Sequence, residues 1–184
     1  MRALLIVDVQ NDFCPGGSVP APEGDKIIPV INKLTERFPL VVASKDWHPA
    51  DTVHFKKWPA HCVKNTQGAA FHPKLETGII DKVFLKGTDN RDDGYSAFEA
   101  TNEDLEGYLK KKGVNELYIT GLTTEYCVFN SALDAVNKGF QTYVIEDAVE
   151  GVKKKEGDEE KAFSEMRQNN IEIVTSDKVY EKVV

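Results

Sequence analysis

No stretch of this 184-residue sequence stays apolar long enough to cross a bilayer. The N-terminal run Ala3-Leu-Leu-Ile-Val7 stops at Asp8, too early for the apolar region of a secretory signal. Basic excess is missing too: 30 acidic against 23 basic residues leave a net charge of −7, which argues against nucleic acid or an anionic membrane surface as partner. Cysteine is scarce and odd in number. Cys14, Cys62 and Cys127 show no CxxC spacing, so neither a disulfide framework nor a zinc ribbon is expected. There is no internal repeat and no linker. What remains is one domain over residues 1–184, long enough to bury a core without staples and suited to a reducing, cytoplasmic compartment. Self-association is left open.

Apolar segments alternate between strand-like and helix-like patterns. Strands are predicted at Arg2–Asp8, Leu40–Ser44, Lys82–Lys86, Glu116–Thr120, Gln141–Glu146 and Ile171–Thr175. Helices are predicted over Asp25–Phe38, from an N-cap at Thr101 to Lys112, over Thr124–Lys138 and over about Gly157–Asn169. Between Lys45 and Thr77 the chain is irregular and rich in Pro, His, Trp and Gly. Repeated strand–helix units predict an α/β protein with a mainly parallel sheet covered on both faces.

In such a sheet, ligands bind outside the carboxyl ends of the strands. Asp8 ends the first predicted strand, Asp46 and His48 follow the second, Lys86 ends the third and Cys127 follows the fourth. Cys127 opens a helix after the sharp turn Gly121-Leu-Thr-Thr124, where free N–H groups favour thiolate and can receive an oxyanion. Many buried cysteines only pack, and this alternative is met by the company Cys127 keeps. A carboxylate can take the thiol proton, an ammonium can hold the resulting charges, and the sulfur can attack a carbonyl.

Asp46-Trp-His48 supplies a second constellation. In extended backbone the Asp and His project to one side, and His54 and His61 fall in the same loop. Two or three His with one carboxylate suit Zn²⁺, Fe²⁺ or Mn²⁺, although a His-rich surface loop has the same composition. His72, in Phe71-His-Pro73, reads as structural.

Seven segments in order resemble the motifs of nicotinamidases, within the isochorismatase-like cysteine hydrolase superfamily. They are Asp8-Val-Gln-Asn-Asp-Phe13, Lys45-Asp-Trp-His-Pro49, Trp58-Pro-Ala-His-Cys62, Gly68-Ala-Ala-Phe-His-Pro73, Lys86-Gly87, Tyr95-Ser-Ala-Phe98 and Gly121–Val128. The resemblance runs from Ala3 to about Asp177. It implies a three-layer α-β-α fold with a Rossmann-like six-stranded sheet. It also implies a triad of Asp8, Lys86 and Cys127, with an oxyanion hole from the backbone N–H groups of Thr123 and Cys127 after a cis Leu122–Thr123 peptide. One divalent metal ion, Zn²⁺ first with Fe²⁺ or Mn²⁺ as alternatives, would be held by Asp46, His48 and His61. His54 stands where relatives carry varied polar residues, some of which reach the metal. Phe13, Trp58 and Tyr95 would line the slot for a flat ring. The activity implied is hydrolysis of nicotinamide, and of pyrazinamide, through a cysteine thioester in NAD salvage. Thr123 and Glu125 depart from the commonest motif, which has Ala and Asp there. Two other readings share the fold: an isochorismatase-type hydrolase, which cleaves a vinyl ether without thiol or metal, and a catalytically silent metal-binding relative.

Overall fold

A computed structural model describes residues 1–91 and 94–181. Six strands run in parallel: β1 Arg2–Val7, β2 Val41–Asp46, β3 Lys82–Lys86, β4 Glu116–Leu122, β5 Gln141–Glu150 and β6 Glu172–Val174. Their order across the sheet is β3-β2-β1-β4-β5-β6, with every neighbouring pair parallel. The helices are α1 Ile28–Thr35, α2 Leu105–Lys111, α3 Phe129–Asn137, α4 Asp158–Gln168 and α5 Ser176–Glu181.

Each central strand is apolar on both faces, as a sheet buried on both sides requires. In β1, Leu4 and Ile6 join the core under α1 and α5, which contribute Ile28, Ile31, Leu34 and Val179. Ala3, Leu5 and Val7 face the other way, onto Leu105 and Leu109 of α2, Ala132 and Ala135 of α3, and Met166 of α4. The result is the three-layer α-β-α arrangement with a six-stranded Rossmann-like sheet. Strand order reverses between β1 and β4, and a crevice opens there at the carboxyl edge.

Several boundaries differ from the expected ones, each for a local reason. β2 runs two residues past Ser44, because Asp46 still pairs with Lys86 and the Gln10 side chain accepts its N–H at 2.8 Å. β5 looked finished at the exposed pair Glu146-Asp147, but after an irregularity it pairs again, Val149 with Gly121 and Glu150 with Leu122. α1 is shorter at both ends than Asp25–Phe38, with Pro29 in its first turn. Thr101 is not the cap of α2: its hydroxyl meets Thr88 at 2.5 Å, and Asp104 takes the N-cap position. The short helix α5 carries too little pattern to be read in sequence. It is fixed by Asp147, which accepts the Ser176 N–H at 2.8 Å and the Ser176 hydroxyl at 2.5 Å.

Candidate active site

Asp8 is the first residue past β1 and adopts a left-handed φ of 49°, a conformation L side chains rarely take outside constrained sites. Its carboxylate is fully buried, with the Ser44 hydroxyl donating to Oδ1 at 2.7 Å and Lys86 Nζ 2.8 Å from Oδ2. Lys86, the last residue of β3, is also fully buried. Its ammonium lies 2.8 Å from Asp46 Oδ1, 3.2 Å from the Gly94 carbonyl and 3.4 Å from Cys127 Sγ. One cation, carried by β3, therefore faces two carboxylates and a sulfur that arrive from three other strands. The structure thus brings Asp8, Lys86 and Cys127 into contact around a single ammonium.

Cys127 sits in a π-helical turn, Thr124–Val128, that leads into α3. The Thr123 carbonyl accepts N–H groups from Tyr126 at 3.1 Å and Val128 at 3.2 Å, and passes over the Cys127 N–H between them. The Leu122–Thr123 peptide is cis, and both Thr123 and Cys127 face the same cavity. Gly121, with φ 109°, lies against β1, where a Cβ would come within 2.1 Å of the Val7 carbonyl oxygen. Only glycine lets the chain turn this close to the Asp8 strand.

The electrostatics set burial against the helix-start effect. Burial pushes the Cys127 thiol well above its usual pKa; Lys86 opposes this, but Asp8 and Asp46 add to it. The helix start does not outweigh these effects, so the resting group is a thiol. Burial, with help from Asp46, also raises the Asp8 carboxyl against the pull of Lys86, which makes it a stronger base than an exposed Asp. Burial alone would raise Asp46 too, but Lys86 and then the hydrogen bonds with His48 and His61 hold it well below the carboxylate range. Burial works against the Lys86 charge, and the surrounding Asp46, Asp8 and Cys127 more than reverse that effect.

All four residues expected at the metal lie together. Nitrogen atoms of His48, His54 and His61 fall within 4.8 Å of one another. His48 Nε2 lies 2.9 Å and His61 Nε2 3.5 Å from Asp46 Oδ2. The other ring nitrogens face carbonyls, His48 Nδ1 at 2.9 Å from Gly87 O and His61 Nδ1 at 2.7 Å from Pro59 O. A carbonyl can only accept, so each Nδ1 donates to its carbonyl and each Nε2 is turned toward the Asp46 carboxylate. A histidine with Nδ1 held by a backbone carbonyl and Nε2 turned toward a shared centre has the orientation that metal-binding imidazoles take. Burial and the neighbouring His48 lower His54 to about 4, which leaves it neutral, the form that binds metals. Three imidazoles and one carboxylate oxygen fit a borderline divalent ion. His54, the least definite of these residues in sequence, stacks on His48 with ring centroids 4.7 Å apart and stands as deep in the cluster as the others.

Between the thiol and the imidazoles lies a cavity of about 270 Å³, lined by Phe13, Val19, Asp46, His54, Trp58, His61, Tyr95, Thr123, Tyr126, Cys127 and Val152. Phe13, Trp58 and Tyr95 are among the lining residues, and Trp58 Nε1 donates to the Tyr95 hydroxyl at 3.1 Å. Sequence reasoning missed Tyr126, whose ring meets Trp58 edge-on at 4.8 Å. It also missed Gln10, whose amide donates to the Asp46 carbonyl at 2.7 Å and the Ala69 carbonyl at 2.9 Å. Asp12 was missed as well; it accepts the Cys62 N–H at 2.7 Å and so fixes the loop that carries His61. All three belong to motifs read in sequence, but their partners come alongside only after folding. Cys14 and Cys62 are buried thiols, the first pushed up to about 11 and the second well above its usual value, both chiefly by burial. His72 lies outside the cluster, its Nδ1 accepting the Lys74 N–H at 3.2 Å.

Fold and site define a parallel α/β hydrolase: a buried thiol beside an ammonium and a carboxylate, facing an imidazole cluster across an aromatic slot. The sequence matches the isochorismatase domain over residues 2–178, and the chain belongs to that family. It is 41% identical to the nicotinamidase/pyrazinamidase of Mycobacterium tuberculosis, covering 96% of this chain and 100% of that protein. Identity to the nicotinamidase of Escherichia coli is 39%, over 90% of each chain. The pyrazinamidase of Pyrococcus horikoshii, solved in complex with zinc, superposes with a TM-score of 0.84 at 44% identity, over 95% of this chain and 98% of that one. No helix among the described residues is long and apolar enough to cross a membrane.

Proposed function

We propose that this chain, as a single domain, hydrolyses nicotinamide to nicotinate and ammonia, and pyrazinamide by the same route, in NAD salvage in the cytoplasm. One observation carries the reading: a single buried ammonium, Lys86 Nζ, lies 2.8 Å from the Asp8 carboxylate and 3.4 Å from the Cys127 sulfur. An amide hydrolase needs its base, nucleophile and charge holder in such contact. The nicotinamidase relatives support the substrate class.

Asp46, His48, His54 and His61 would hold one divalent ion, with Zn²⁺ favoured by the nitrogen-rich donor set. When bound, the ion supplies a Lewis-acid anchor for the ring nitrogen of the substrate. Phe13, Trp58 and Tyr95 hold the ring flat and exclude water from the slot. Asp8 removes the Cys127 proton as the sulfur attacks the carboxamide carbon. N–H groups of Thr123 and Cys127 receive the oxyanion, and Lys86 stabilises the negative sulfur and carboxylate while the proton moves. Asp8 then passes the proton to the departing ammonia, and later activates the water that cleaves the Cys127 thioester. A vinyl-ether hydrolase would need neither the thiol–ammonium contact nor the imidazole cluster.

The test compares kcat/KM for four amides on one preparation. Nicotinamide and pyrazinamide carry a ring nitrogen meta to the carboxamide, picolinamide only ortho, and benzamide none. A ring-nitrogen bond worth ~3 kcal/mol in the transition state separates the first pair from the second by about a hundredfold. Benzamide turned over as fast as nicotinamide would refute ring anchoring, and no ammonia from any of the four would refute the activity.

A further inference from the structure

Residues 150–154 form a strap beside the cavity, tied down by side chains that the chemistry above does not use. Glu125, two positions before Cys127, accepts the Val152 N–H on Oε2 at 3.0 Å and the Lys153 N–H on Oε1 at 2.8 Å. Gly151 lies against the same carboxylate, where a Cβ would come within 2.5 Å of Glu125 Oε1. Lys153 adopts a left-handed φ of 55°, and its ammonium reaches Glu150 Oε1 at 2.8 Å and Glu159 Oε2 at 3.1 Å. The other Glu159 oxygen accepts the Thr124 hydroxyl at 2.8 Å, so the strap is bonded twice to the turn that bears the thiol. At its far end Lys154 Nζ lies 3.3 Å from the centroid of the Trp58 ring. The strap is thus fastened to the Cys127 turn on one side and to an aromatic wall of the slot on the other. What it presents to the cavity is Val152.

We infer that Glu125 is a positioning residue that holds the strap so that Val152 closes the slot, which makes Val152 specificity-determining and restricts substrates to carboxamides of a bare six-membered heteroaromatic ring. The inference rests on the amide-hydrolase reading and deepens it. Four aromatic side chains and two valines crowd the cavity, and Val152 is the wall whose own backbone N–H is held by the Glu125 carboxylate. Truncating it opens the slot without touching the thiol, the acid or the imidazoles.

The experiment uses Val152→Ala, Glu125→Gln and Glu125→Asp in the full chain, with nicotinamide and nicotinamides methylated at ring carbon 4, 5 or 6. In Val152→Ala the kcat/KM of at least one methylated amide, relative to nicotinamide, is expected to rise roughly tenfold, the usual size of a one-methyl discrimination. Glu125→Gln leaves one of the two strap N–H groups facing an amide NH₂. It is expected to shift the same ratio in the same direction and to raise KM more than it lowers kcat. Glu125→Asp keeps both acceptors and should lie nearer wild type. Trypsin reads the tie without catalysis: the strap and its flank carry Lys153-Lys154-Lys155, and cleavage there is expected to be faster in Glu125→Gln than in wild type or Glu125→Asp. Unchanged ratios for all three methylated amides in Val152→Ala would overturn the role of Val152. Wild-type KM and cleavage rate in Glu125→Gln would overturn that of Glu125. A wild-type protein that released no ammonia would refute the parent reading alone, and the cleavage comparison would still decide the tie.

Discussion

Lys86→Met tests whether one ammonium holds the site together. Methionine matches the length of the lysine stem but removes the charge, so two carboxylates 2.8 Å from the former Nζ lose their shared cation inside a fully buried pocket. Breaking a buried ion pair by removing one partner costs ~3–5 kcal/mol. For a chain of this size that lowers Tm by roughly 6–20 °C, at ~2–4 °C per kcal/mol, and lowers the urea midpoint by at least ~1 M. The pH dependence follows from Asp8, whose carboxyl burial has already raised and which loses its main opposing charge in the variant. A carboxyl with a folded pKa above its unfolded value destabilises the fold above the folded pKa, and this cost fades as pH falls through it. Wild-type Asp46 is held well below the carboxylate range and stays ionised across the mildly acidic window. Wild-type Asp8 is raised less than in the variant because Lys86 still opposes burial, so the difference between the two proteins follows the extra rise of Asp8. The deficit of Lys86→Met is therefore largest near neutral pH and narrows toward about pH 5. Urea melts of both proteins at the two pH values measure this. A loss under ~1 kcal/mol at neutral pH, or an equal loss at both, would refute the reasoning.

Cys127→Ala is expected to lower ammonia release by roughly 10⁴-fold or more while the fold survives, whereas Cys14→Ala and Cys62→Ala keep measurable turnover. His61→Ala and His54→Ala should each lose bound metal together with activity, read as metal content after dialysis, since both rings stand equally deep in the cluster. A His54→Ala protein with full metal content would remove it from the ligand set. Gly87→Ala places a Cβ 2.5 Å from His48 Cε1 at a backbone φ of 65°, so metal content should fall although no ligand has been changed.

The chemistry of the site was more legible than its support. Asp8, Lys86 and Cys127 stand where strands end, and the rule that parallel sheets bind at that edge needs only a pattern of apolar runs to locate them. The three loop histidines were legible because they crowd into fourteen residues with Asp46 nearby. Gln10, Ser44 and Asp12 were not, because each acts on a backbone or side-chain group brought alongside by pairing between distant strands and loops. The rise in the Cys127 thiol pKa was not legible for a related reason. A helix start is visible in sequence, whereas complete burial between two carboxylates is a property of the folded chain.

The parallel strand order has a consequence for refolding. Asp8 meets the Cys127 turn only once β1 has paired with β4, matching Arg2 to Glu116 and Val7 to Gly121 across more than a hundred residues of intervening chain. Lys86 arrives through a separate crossover, β2 to β3. Helices can form locally in microseconds, but such non-local pairings close late and set the pace in chains of high contact order. Turnover therefore works as a stopwatch for the last stage of assembly. After dilution from denaturant, ammonia release should trail the recovery of helical circular dichroism, and the interval between them times the joining of the two halves of the sheet.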